Sequence, residues 1–305
     1  MKGGRSVAIG TRGSPLAIAQ ANIIARMLKR KNKGIRLSIR KIKTEGDSQA
    51  KVSAVLTGKD LFTRAIDKAL LQKQIDIAVH SLKDVPVDSK SNKIEIVAYP
   101  KRENPLDVLV SRRRGDTLET LPQNARVGTS SLRRAIQLKS FRPDIEIVEI
   151  HGNVQTRIVK LGNSELDAIV LAKAGLKRLR KNNVGKTIPD SVMLPAVGQG
   201  CLAVAIRTND DFTRKLVSHI DHRETRIAVS AERAFSKELG GGCNTPIAAL
   251  ATVLNGKLYL DGLVEKVTSN HSKVTERGRI SGSTKNAELL GKTLAKRLKR
   301  TTSGQ

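Results

Sequence analysis

Aromatic side chains are nearly missing from this 305-residue chain: it has no Trp, two Tyr and four Phe. Few rings remain for stacking nucleobases, which removes the commonest device for gripping single strands. Acidic residues are also scarce, 28 Asp and Glu against 56 Lys and Arg, for a formal net charge of +28. A field of that size steers anions and favours non-specific contact with polyanions. Zinc-finger spacing and RNA-recognition signatures are both absent, however, so no nucleic-acid partner is expected. The five histidines are scattered and no Cys/His spacing repeats, so no metal site is expected either. Cys201 and Cys243 are the only cysteines and allow one disulfide at most. Free thiols are the expectation in a chain of this size without a secretion signal. No apolar run reaches bilayer-spanning length. Met1–Arg5 leads directly into Val7-Ala8-Ile9 without a signal-peptide core. The expectation is a cytoplasmic protein with no membrane partner.

What is present is alternation. Strand-like stretches at Arg5–Gly10, Ile35–Ile42, Ile75–Val79 and Ile94–Ala98 are spaced by helical patterns ending near Lys31 and Lys73. Ser14 followed by Pro15 gives N-cap and first-turn chemistry in the preferred order. Lys43–Lys59 is polar and Gly-punctuated and reads as a loop that covers a site. The logic repeats after Tyr99–Pro105, with strands at Asp107–Val110, Arg126–Gly128, Ile145–Ile150 and Ala168–Leu171. Helices are expected at Ser130–Phe141, Val154–Gly162 and Ala174–Lys181. Strands spaced by helices imply parallel sheets covered on both faces. The apolar stretch Leu202–Ile206 fits a strand returning to the first sheet. Helix Glu224–Leu239 precedes a hairpin across Asn255-Gly256, the strongest short hairpin signal. The domains expected are 1–99 with 200–218, 105–194, and 222–305, the first two α/β and the third α+β. Ligands in such folds sit beyond the carboxyl ends of strands.

Several stretches carry chemistry. Gly240-Gly241-Gly242-Cys243-Asn244-Thr245-Pro246 puts a thiol on a low-bulk loop, fit either to carry a group or to pack as an incidental turn. Gly128-Thr129-Ser130-Ser131 offers N–H groups and hydroxyls at a helix start, a ready anion site. Arg133 and Arg134 follow in the first helical turn, where the macrodipole disfavours cations. A compensating anionic ligand is one reading, and a solvated helix start is the other. Arg12, Arg157 and Arg178 lie in or after similar turns and suit bidentate pairing with carboxylates. Asp84 sits beside Lys83 in a strand-end loop, as a general acid/base or as a cap before Pro86. His80 reads as a structural hydrogen-bonder.

Taken in order, Thr11–Ala17, His80–Pro86, Gly128–Arg134, Gly152-Asn153 with Thr156-Arg157, Pro195–Gly200 and Gly240–Pro246 resemble the porphobilinogen deaminase (hydroxymethylbilane synthase) family. The resemblance spans nearly the whole chain and is weakest after Pro246. It implies two doubly wound domains like those of periplasmic binding proteins, plus a small α+β C-terminal domain carrying the cofactor cysteine. It also implies a transferase that condenses four porphobilinogens head to tail, with loss of ammonia, on a covalent dipyrromethane. Cys243 would hold that cofactor as a thioether, with Ser81, Lys83, Thr129, Ser131, Arg133 and Arg134 around it. Arg12, Ser14, Lys59, His151, Arg157 and Arg178 would bind substrate carboxylates, and Asp84 would be catalytic. Hand-over of product to uroporphyrinogen-III synthase and a monomeric state are further expectations. Two positions depart from the family's pattern. His151 stands where the family usually has Arg, and Asp60 stands in Gly58-Lys59-Asp60-Leu61-Phe62 where it tends to have Gly. The competing readings are a two-lobed binder of anions without chemistry and a nucleic-acid binder resting on charge alone. Cys243 together with Asp84 favours the enzyme.

Overall fold

The computed structural model describes residues 6–32, 34–43, 60–88, 91–241, 246–267 and 273–300. In chain order the first elements are β1 (Ser6–Arg12), α1 (Pro15–Lys31), β2 (Arg36–Ile42), α2 (Asp60–Leu71), β3 (Ile77–Ser81) and β4 (Ile94–Ala98). Next come β5 (Asp107–Ser111), β6 (Arg126–Gly128), α3 (Leu132–Phe141), β7 (Glu146–Val148), α4 (Val154–Asn163), β8 (Ala168–Ala172), α5 (Lys173–Arg178) and β9 (Lys186–Thr187). The chain ends with β10 (Leu202–Arg207), α6 (Asp211–Ser218), α7 (Arg223–Glu238), β11 (Ile247–Leu254), β12 (Lys257–Val267), β13 (Lys273–Ser283) and α8 (Ala287–Arg300). Contacts divide the chain into two units, Met1–Arg102 with Cys201–Arg226 and Glu103–Gly200 with Ile227–Gln305.

The first unit is built on a five-stranded sheet of order β2-β1-β3-β10-β4. β1 shows why it sits inside. Val7 and Ile9 point to a core with Ala21, Ile24 and Leu28 of α1, while Ala8 points to one with Ile66 and Leu70 of α2. Burial on both faces requires an apolar run rather than an alternating strand. Ser14 caps α1 as the sequence implies, its Oγ accepting from the Ala17 N–H at 3.3 Å. β10 returns to this sheet, as expected. The expectation of purely parallel sheets is corrected, because β10 runs antiparallel to both β3 and β4.

The second unit contains a five-stranded sheet of order β7-β6-β8-β5-β9. It too is mixed, with β5 antiparallel to β8 and β9 and β6 parallel to β7 and β8. Within the same unit, the antiparallel sheet β11-β12-β13 packs against α7 and α8 through Phe235, Leu258, Leu260 and Leu294. Gly291 sits where α8 meets α7. A Cβ there would lie 2.3 Å from the Ala231 carbonyl oxygen, so only glycine admits this approach. The hairpin turns at Asn255-Gly256, both with positive φ, as Asn-Gly turns require. Leu194 joins Ala248, Leu250 and Leu263 in a small core that ties this sheet to the segment after β9.

Candidate functional site

β1 and β3 are neighbouring parallel strands, with Ile9 opposite Ile77 and Gly10 opposite Ala78. Their carboxyl ends therefore lie side by side, and this places two loops together. One runs from Arg12 into the α1 N-cap. It is pinned by Thr11 Oγ1, which donates to the Ala17 carbonyl at 3.0 Å. The other is the 3-10 turn Leu82–Asp84, closed by Val85 N–H on the Leu82 carbonyl at 3.0 Å. Between them is a cavity of about 60 Å³ lined by Arg12, Ser14, Gln20, Thr63, Ser81 and Asp84, among others. That volume holds water and no more.

The structure thus brings together Arg12, Ser14, Ser81 and Asp84. Asp84 is half-buried, and Lys83 is half-buried next to it. Gln20 and Thr63 join them as residues the sequence reading missed. Gln20 is buried in α1 and donates from Nε2 to Ser81 Oγ at 2.8 Å. His80 is buried at the end of β3, where burial pushes its pKa down to about 4. Asp67 Oδ1 lies 3.7 Å from its Nε2, too far for a hydrogen bond, and burial outweighs that attraction. His80 is therefore a neutral structural residue.

The second unit places the arginines. β6 delivers Gly128 and Thr129, and Ser131 is the N-cap of α3. Thr129 is buried and its Oγ1 accepts from the Ser131 N–H at 3.1 Å. Arg133 and Arg134 are both buried, at 6% exposure each, and they converge on one carboxylate. Arg133 Nη2 donates to Asp107 Oδ2 and Arg134 Nη2 to Asp107 Oδ1, each at 2.8 Å. Their Nη1 atoms donate to the carbonyls of Leu194 at 2.6 Å and Val170 at 2.7 Å. The helix start is therefore not solvated at these two arginines, and the compensation that an external anion could give is met first by an internal one. Burial alone would raise the Asp107 pKa. The fields of Arg133 and Arg134 overcome this, and hydrogen bonds from Gln199 and Arg133 help hold the value near 2. Two guanidinium groups on one carboxylate still leave a net charge of +1.

Arg157 stands on α4, its Nε donating to the Gly152 carbonyl at 2.8 Å. Burial, and then the field of Arg134, holds its pKa below the usual arginine value. Two guanidinium groups that feel each other make a cationic locus suited to carboxylates. Arg178, at the end of α5, donates from Nη2 to the Gly200 carbonyl at 2.7 Å. His151 differs from these: its side chain is 71% exposed, and its Nε2 lies 2.9 Å from Glu149 Oε1 in a surface pair. Cys243 and Lys59 lie outside the described residues. So does the loop 44–59, and nothing is described of the Asp60 side chain. No group of His, Cys, Asp and Glu among the described residues could hold a metal ion. Among them, too, no helix is long and apolar enough to cross a membrane.

The family described as porphobilinogen deaminase, dipyromethane cofactor binding domain, matches residues 7–215, and its C-terminal domain matches residues 226–300. Proteins named porphobilinogen deaminase are similar over almost their whole length. That of Pelotomaculum thermopropionicum is 45% identical over 296 residues, covering 96% of this chain and 93% of the relative. That of Moorella thermoacetica is 46% identical over 294 residues, covering 96% and 92%. Among solved structures, an arginine-specific periplasmic binding protein of Salmonella typhimurium is 16% identical with a TM-score of 0.41, covering 70% of this chain and 90% of that one.

Proposed function

This chain belongs to the porphobilinogen deaminase family, and from that premise we propose how its residues divide the work. The enzyme polymerises porphobilinogen into hydroxymethylbilane in tetrapyrrole biosynthesis, using a dipyrromethane cofactor. The arginine cluster suits such a group. Arg133 and Arg134 carry one positive charge beyond what Asp107 cancels, and the Nε atoms of both are buried without a hydrogen-bond partner among the described residues. Cys243 would hold the group covalently as a thioether, with Thr129, Ser131, Arg133, Arg134, Ser81 and Lys83 taking its carboxylates and polar edges. When bound, the dipyrromethane supplies the free pyrrole carbon from which the product grows.

Asp84 is the residue assigned to the chemistry. Loss of ammonia from porphobilinogen leaves a cation on its ring, and attack by the next pyrrole carbon leaves a protonated ring. A carboxylate beside the pyrrole N–H groups stabilises both charges and accepts the proton that restores aromaticity. Arg12 and Ser14 on the adjacent loop, with Arg157 and Arg178, bind the acetate and propionate groups of the substrate. Lys59 and His151 are assigned contacts with the same groups. The division of the chain into 1–99 with 200–218, 105–194 and 222–305 belongs to this proposal. So do a monomeric state, a cytoplasmic location and release of product to uroporphyrinogen-III synthase.

The observation that carries this reading is that Asp84, Arg12 and Ser14 line one cavity at the ends of two adjacent parallel strands. Intact mass and turnover of Asp84→Asn and Cys243→Ser test it. Asp84→Asn is expected to keep an adduct of dipyrromethane size and to lose on the order of 10²-fold or more in turnover, with Asp84→Glu retaining part. Cys243→Ser is expected to lose the adduct. Normal turnover by Asp84→Asn would remove Asp84 from the chemistry, and an adduct persisting on Cys243→Ser would move the attachment point elsewhere.

A further inference from the structure

Asp107, which fixes both arginines, is itself fixed from the C-terminal side of the same unit. Its Oδ1 accepts from Gln199 Nε2 at 2.9 Å, and that same Nε2 donates to the Pro105 carbonyl at 2.6 Å. The residue before Gln199 is held by a second buried carboxylate. Gly198 N–H donates to Glu232 Oε2 at 2.8 Å, and Ala251 N–H donates to Glu232 Oε1 at 2.8 Å. Asp107 and Glu232 are both 0% exposed. One peptide, Gly198-Gln199, therefore joins the carboxylate that aims the arginines to the carboxylate that joins α7 and β11. α7 ends at Glu238, and the chain then runs to Cys243.

We infer that Asp107 is a positioning residue for the Arg133–Arg134 pair, linked through Gln199 and Glu232 to the helix that precedes Cys243 in the sequence. The inference rests on the reading of Arg133 and Arg134 as residues that hold the cofactor's carboxylates. The physical reasons are geometric and electrostatic. Each carboxylate oxygen takes one Nη2, and each Nη1 takes a backbone carbonyl, so both guanidinium planes are set before any ligand arrives. A pair of buried cations with no carboxylate would instead turn away from each other, because uncompensated buried charge is strongly unfavourable. With Asp107 in place, the first ligand carboxylate makes the cluster neutral. The buried links give the arginines and α7, which precedes Cys243 in the sequence, a shared frame.

A double-mutant cycle on the full-length chain separates this from a general effect on folding. Asp107→Asn, Arg134→Lys and the double variant are incubated with saturating porphobilinogen, and intact mass follows the rate at which the adduct accumulates on Cys243. Thermal midpoints are recorded alongside. Each single change is expected to slow loading by about tenfold, and the double variant to load no more slowly than the slower single, because coupled sites are not additive. A double variant slowed by the product of the two effects, about a hundredfold, overturns the coupling. So does wild-type loading by Asp107→Asn. Wild-type loading by Arg134→Lys has a different meaning, since it overturns the reading of the arginine pair on which the inference stands. If Asp107→Asn does not fold, Gln199→Met takes its place in the cycle with the same expected outcomes.

Discussion

Gln20 Nε2 donates to Ser81 Oγ at 2.8 Å, so one side-chain bond joins the second turn of α1 to the end of β3. Gln20 is 3% exposed in a helix whose other buried residues are apolar. A buried amide in that position is tolerated because it is bonded. Its effect is to fix the loop that carries Asp84 relative to the loop that carries Arg12.

Gln20→Leu keeps the volume and removes the bond. The expected result is a loss of about 1 kcal/mol of stability and a several-fold rise in KM for porphobilinogen, with the adduct mass unchanged. Steady-state kinetics and a melting curve check it. An unchanged KM would show that Ser81 holds its place without Gln20.

His80 makes stability depend on pH in a defined window. Its pKa is about 4 in the folded protein, against an ordinary histidine value of 6.5. At pH 7 it is neutral in the folded protein and mostly neutral in the unfolded chain, so it contributes little pH dependence there. As pH falls below about 6.5 the unfolded chain takes up a proton that the folded chain refuses, and stability drops until about pH 4. The full loss is roughly 3 kcal/mol. Urea unfolding at about pH 7 and pH 5, with wild type and His80→Gln compared, measures it. Equal losses in the two proteins would mean that other groups carry the acid sensitivity.

Gly291 sets how closely α8 approaches α7. A Cβ there meets Ala231 O at 2.3 Å and Phe235 N at 2.9 Å, both backbone atoms that cannot turn aside. Gly291→Ala is expected to cost about 1–3 kcal/mol through forced separation of the helices. A thermal midpoint equal to that of wild type would mean that the pair relaxes without cost.

Much of the scaffold was legible because it rests on local chemistry. Ser14-Pro15 announces the start of α1, Asn255-Gly256 announces the hairpin, and Asn153 caps α4 through the Thr156 N–H at 3.0 Å. Strand direction was not legible. Leu202–Ile206 is apolar throughout and the strand is buried at every position, and such a run reads the same whether its partners are parallel or antiparallel. α6 was missed although Asp210 caps it through the Thr213 N–H at 3.1 Å, because the helix runs for only eight residues. In the site, the loops with Asp84 and Arg12 were legible from strand-to-turn punctuation. Asp107 was not recognised as the partner of Arg133 and Arg134, because that pairing depends on β5 lying beside β8 and nothing near Asp107 in the sequence announces it. Gln20 was passed over for a similar reason, since a glutamine within a helix has no local signature of burial.

The place of β10 between β3 and β4 has a consequence for how the chain is made. Val204 pairs with Val79 on one side and Ala98 on the other, yet it is synthesised long after both. During elongation β3 and β4 are complete while the strand between them does not exist, and each presents unpaired backbone N–H and C=O groups. Long-range pairing of this kind is slow because loop-closure entropy must be overcome first. Until residues 202–207 leave the ribosome, the nascent sheet has an unfilled row, and a chaperone that shields strand edges would protect it there.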